Sequence, residues 1–121
     1  MPTEVDVTRA DDGLTVAVIR GALDLAAAPA VQRQLLDATP AAGMALLIDL
    51  AEVDAVDAAG VGALLAAVLH VRANGGEVVL VDPSEAVFRV LRLGRLESAL
   101  DIAPNVTEAR GRFVTSGSTP R

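Results

Sequence analysis

Three places in this chain hold residue types whose spacing could do chemistry. The first is Asp57-Ala58-Ala59-Gly60-Val61-Gly62, an acidic residue followed by a run of small ones. The second is Asp24, at the end of Gly21-Ala22-Leu23-Asp24 and just before Leu25. The third is a basic group, Arg89, Arg92 and Arg95, in an otherwise acidic chain. An aspartate that immediately precedes a helix can accept from the helix's orphan amides and face the positive end of its dipole. The same carboxylate could equally be a contact for a partner. Asp24 poses the same alternative, between a turn-forming side chain and an interface carboxylate.

Neither aspartate has the company that catalysis requires. There is no cysteine, so no thiolate nucleophile, disulfide framework or thiolate metal site can form. All ten basic residues are arginine, which removes the phosphate-loop lysine and the Schiff-base lysine. Gly60 and Gly62 therefore make a poor phosphate cradle. A better reading is that they keep a helix N-terminus bare for close approach of another surface. The one histidine, His70, would need carboxylates to complete a metal site and has none three or four residues on. It reads as a solvated or dipole-stabilised side chain. The three arginines read first as a solvated helix face and second as a patch for an acidic partner. No metal, cofactor or hydrolytic activity is expected.

Composition narrows the class further. The 121 residues carry a net charge of −6 and only 2% aromatics, which argues against nucleic-acid binding through a basic face and stacking rings. Hydrophobic content is 52% and the mean hydropathy is +0.47. The excess is largely alanine, and no apolar run approaches the roughly 20 residues of a membrane span. No charged-then-apolar leader is visible, so a cytoplasmic location is expected. The length suits one domain, expected over residues 1–112, with a polar, disordered tail over 113–121.

The elements that must position these residues follow from periodicity. Glu4–Thr8 and Leu14–Arg20 alternate at period two, and Asp11-Asp12-Gly13 between them is hairpin chemistry. Gly21–Asp24 reads as a turn. A first helix follows, with Pro29 in its first turn, Val31, Leu35 and Leu36 on its buried face, and its end near Thr39-Pro40. Met44–Leu50 is an almost uninterrupted apolar run, as expected of a strand covered on both faces. A turn leads through Asp57 into a second helix, where Val61, Leu64, Leu65, Val68 and Leu69 draw one apolar stripe. Asn74-Gly75-Gly76 stops it. Glu77–Val81 is a strand, and Ser84–Leu93 a helix with Val87, Val90 and Leu91 inward. A short strand ends near Ile102, and Asn105–Glu108 could open a last helix as a capping box. The order β-β-α-β-α-β-α-β-α predicts an α/β fold, a mixed sheet with helices packed against it.

These segments also carry a resemblance. Gly21–Ala26, Asp49–Val53, Asp57–Gly62, Asn74–Gly76, and Leu80–Ser84 with Val90-Leu91 fall in the order and spacing of the STAS domain. Single-domain members of this length resemble anti-sigma factor antagonists. The resemblance implies a STAS-type mixed sheet. It also implies a protein that binds a serine-kinase type of anti-sigma factor and frees the sigma factor held by it. Asp24, Leu25, Asp57, Ala58, Ala59, Gly60, Val61 and Gly62 are the implied docking residues. The family's usual motif is Asp-Ser-Ser-Gly-Leu-Gly, whose second serine is phosphorylated by the kinase. Ala59 stands there and Ala58 before it, so phosphorylation at that place is not expected. The family often has Thr-Gly after the third helix. Here Arg95 holds the glycine position, and Gly94 is expected to take over the turn one residue early. The alternative role is a structural STAS subunit, in a stress-signalling assembly or in a lipid-transporting ABC complex.

Overall fold

The computed structural model describes residues 2–10, 13–38 and 43–117. Its elements run β1 (Glu4–Arg9), β2 (Leu14–Leu23), α1 (Ala28–Asp37), β3 (Ala45–Val56), α2 (Ala58–Ala73), β4 (Glu77–Val81), α3 (Glu85–Leu93), β5 (Ile102–Ala103) and α4 (Val106–Gly117). The strands form one sheet in the order β1-β2-β3-β4-β5. β1 and β2 are antiparallel, and every later pair is parallel. The fold class and element order expected from the sequence are those observed.

β3 shows why the sheet sits where it does. Leu46, Leu47 and Ile48 are all fully buried, although successive side chains point to opposite faces. Leu46, Ile48 and Leu50 join Val78 and Leu80 beneath α1, α2 and α3. Leu47 joins Val79, Val81, Ala103 and Ala109 under α4. A strand covered on both faces must read as a continuous apolar run, and this one does.

Several boundaries differ from the sequence expectation, each for a tertiary reason. β2 continues through Gly21-Ala22-Leu23, the expected turn. Gly21 has φ +98° and lies where the β2–β3 register shifts, so its freedom serves a bulged strand. β3 likewise runs past Leu50 to Val56, held by pairing with β2 and by burial of Val53. Leu69 leaves the expected apolar stripe and is 66% exposed. The buried face of α2 is centred on Leu64, Ala67, Val68 and Val71, and Leu69 lies about 140° around from Leu64 at 100° per residue. α4 carries on through Phe113 to Gly117, into the expected tail, and Phe113 packs against the second core cluster. The expected hairpin residues Asp11 and Asp12, the Thr39-Pro40 helix end and the last four residues of the tail lie outside the described residues.

The exit from α3 also departs from expectation. Gly94 has φ −87°, and Arg95 itself takes the left-handed conformation at φ +56°. Arg95 N donates to Arg92 O at 3.0 Å and Leu96 N to Leu91 O at 2.8 Å, the two bonds of a Schellman cap. Leu96 is packed against the core, so its position fixes where the turn falls, and the left-handed residue must be Arg95. α2 ends with the same pair of bonds, Gly75 N to Arg72 O and Gly76 N to Val71 O. There the left-handed position is Gly75, at φ +79°.

Candidate functional site

Asp57 is the N-cap of α2, with an extended backbone at φ −126° and ψ −175°. Gly60 N donates to its Oδ1 at 3.0 Å, so one orphan amide of the helix is satisfied. The other carboxylate oxygen does something the local sequence does not require. Leu25 N donates to Oδ2 at 2.9 Å, although the two residues are 32 apart in the chain. Asp57 N also donates to Leu23 O at 3.3 Å. One aspartate therefore joins the loop after β2 to the start of α2.

The electrostatics follow from that geometry. The Gly60 N–H holds the Asp57 carboxyl below its ordinary pKa. Partial desolvation opposes this, and the Leu25 N–H adds to the lowering. The carboxylate stays charged at neutral pH while both of its oxygens accept from backbone.

Asp24 sits on the adjoining loop and serves it locally. Ala27 N donates to its Oδ1 at 3.0 Å, and Ala28 N donates to its carbonyl at 2.8 Å. This stands in for the side-chain cap that Ala27, at the N-cap position of α1, does not supply. A shallow depression of about 310 Å³ opens beside it, lined by Thr3, Ala22, Asp24, Ala27, Val31 and Gln34. Thr3 and Gln34 carry no local signal that would mark them in the sequence. The β1–β2 pairing and the packing of α1 bring them there.

The eight expected docking residues divide when placed in the fold. Leu25 is 73% exposed, and Asp57, Ala58 and Gly62 are also exposed. Asp24 and Ala59 are half-buried on the same face. Gly60 and Val61 are buried. Val61 belongs to the core against the sheet. Gly60 is bare for an internal reason: a Cβ there would lie 2.0 Å from Leu23 O. Gly62 meets nothing within 4 Å, so it does leave the outer surface low, as expected of it.

Among the described residues, no group of three or more His, Asp or Glu side chains could hold a metal ion. His70 is exposed on α2, and its carbonyl accepts from Asn74 Nδ2 at 2.9 Å. No helix among the described residues is long and apolar enough to cross a membrane. The site presents a face of two joined turns, with small side chains, one exposed leucine and a held charge.

Comparison with known proteins gives this face a context. The STAS domain model matches residues 7–109. The anti-sigma-B factor antagonist of Listeria monocytogenes is 28% identical over 102 residues, which cover 84% of this chain and 90% of that one. Among solved structures, an anti-sigma factor antagonist from Mycobacterium paratuberculosis superposes with a TM-score of 0.78 at 24% identity. That match covers 92% of this chain and 93% of the other. The phosphorylated form of the Bacillus cell fate determinant SpoIIAA superposes with a TM-score of 0.68 at 18% identity, covering 91% and 99%. At these identities the structural likenesses show the shared fold.

Proposed function

This chain belongs to the STAS domain family, and from that premise we propose that it is an anti-sigma factor antagonist. It binds an anti-sigma factor of the serine-kinase type, and so releases a sigma factor, through the face formed by Asp24, Leu25, Asp57, Ala58, Ala59 and Gly62. Gly60 and Val61 shape that face from beneath. The observation that carries this reading is the Asp57 carboxylate accepting from both Leu25 N and Gly60 N, which makes two exposed turns one rigid surface. Relatives bearing the antagonist name match most of the chain, in agreement with this role.

Binding is constitutive in this reading. A phosphoryl group at the start of α2 would bring about −1.5 to −2 charges beside Asp57, into a surface that must dock closely. Ala59 has no hydroxyl to accept one, so partner abundance governs the complex. Small side chains at Ala58, Ala59 and Gly62 let the partner approach the backbone, and Leu25 supplies apolar area at the edge.

The test is isothermal titration against a serine-kinase anti-sigma factor from the same genome. Ala59→Glu places an unpaired charge in the interface and is expected to cost on the order of 2–5 kcal/mol of binding. Ala59→Ser is expected to bind almost normally and to become phosphorylated by that kinase. Wild-type affinity in Ala59→Glu, with both proteins folded, would remove this face from the interface.

A further inference from the structure

α3 carries a surface that the antagonist reading does not use. Arg89, Arg92 and Arg95 are all exposed, and Leu93 is 80% exposed among them. Arg89 and Arg92 are three residues apart and so share one side of the helix. The Arg92 guanidinium lies 5.5 Å from the centre of the Phe88 ring, which fixes it over an apolar floor. Glu85, Phe88, Arg89, Arg92 and Leu93 line a shallow depression of about 330 Å³.

Three features separate this cluster from ordinary solvated charge. First, three arginines without an ion pair stand together here, whereas Arg20 pairs with Asp6 and Glu52, and Arg112 with Asp101 and Glu108. Among the described residues Arg89, Arg92 and Arg95 join no ion pair, although the chain carries a net charge of −6. Second, Arg95 stands in the left-handed position that Gly75 fills at the end of α2, where glycine carries no strain. Third, the most exposed large apolar side chain of the described chain, Leu93, sits within the basic group. The helix dipole accounts for one arginine in the last turn, Arg92, and for neither of the others.

We propose that this face of α3 docks an acidic protein segment carrying an apolar anchor. Carboxylates pair with the three guanidinium groups, and an aliphatic or aromatic side chain packs on Leu93 and Phe88. A protein segment fits better than a nucleic acid or an anionic membrane. Both of those present extended negative charge to a chain that is itself strongly acidic, whereas a short segment meets only the local positive field.

The probe is a short fluorescent peptide of aspartate and glutamate with one central leucine, titrated with the full chain at about 0.15 M salt. Saturable binding that weakens as salt rises is expected. Arg89→Gln/Arg92→Gln should weaken it roughly tenfold or more. Arg33→Gln/Arg72→Gln, an equal charge change at exposed arginines elsewhere, should leave it unchanged. Leu93→Ser should weaken binding of the leucine peptide and not that of its all-acidic counterpart. Circular dichroism confirms that each variant is folded. Absent saturable binding, equal loss in both double variants, or tighter binding to a single-stranded oligonucleotide or phosphatidylserine vesicles would each overturn the proposal.

Discussion

α2 and α3 begin with the same device and put it to different use. Each N-cap side chain accepts from the amide three residues on, Asp57 from Gly60 at 3.0 Å and Ser84 from Val87 at 3.3 Å. At α3 the cap is a neutral hydroxyl, Glu85 supplies charge in the first turn, and Val87 enters the core at once. At α2 the cap carries the charge, the first turn has no other acid, and the second carboxylate oxygen reaches Leu25 on another loop. An ordinary cap ends a helix, whereas a shared cap binds two loops into one surface. The difference shows why the start of α2 is the better candidate for recognition, though both starts are equally well satisfied.

The largest expected effect contrasts equivalent positions. Ala59 and Ala86 are each the second residue of their helices. Ala59→Glu should cost on the order of 2–5 kcal/mol of anti-sigma factor binding, and Ala86→Glu should cost none within calorimetric error. Equal losses would break the distinction between the two helix starts.

Next comes the third position. Gly60→Ala should destabilise the fold by about 2–4 kcal/mol in urea denaturation, because the new Cβ would meet Leu23 O, a backbone atom that cannot swing aside. Gly62→Ala, two residues on and in open space, should instead stabilise by about 0.5–1 kcal/mol. A mild Gly60→Ala would mean that the two loops are less tightly joined than the geometry implies.

The caps themselves sharpen the comparison. Ser84→Ala should cost about 1 kcal/mol of stability. Asp57→Ala should cost more, since it leaves the Leu25 amide without its partner as well as the Gly60 amide. The two should also differ with pH. The folded-state pKa of Asp57 is depressed, so its contribution is fully present above the unfolded value of 3.8 and is lost as pH falls below it, through the folded pKa. The stability gap between wild type and Asp57→Asn should therefore shrink over that acid range. For Ser84→Ala the gap should stay flat. Thermal melts at a series of pH values measure both.

The smallest effect lies at the helix exits. Arg95→Gly should raise stability by about 0.5–1 kcal/mol by relieving the left-handed strain, leaving α3 ending as α2 does at Gly75. The same variant should weaken the acidic peptide. A stabilised variant with unchanged peptide binding would mark Arg95 as strained without a role in docking.

Much of this was legible in the sequence because it rests on local interactions. The apolar run at Leu46–Ile48, the Asp57 and Asn105 caps and the Asn74-Gly75-Gly76 stop all act within a few residues, so their order alone determined the element order. The pairing of Asp24 with Asp57 as one candidate site was visible only as a resemblance of spacing. What only the tertiary structure decided depends on contacts between distant segments. Pairing with a neighbour carried β2 and β3 beyond the residues that read as turns. The core took Gly60 from the outer surface and left Leu69 outside. Packing of Leu96 put the left-handed turn on Arg95, where local preference favours Gly94. The second oxygen of Asp57 belongs to the same class. A carboxylate has two acceptors, and the helix it caps uses one. Which amide meets the other depends on where the sheet sets down a loop 32 residues away.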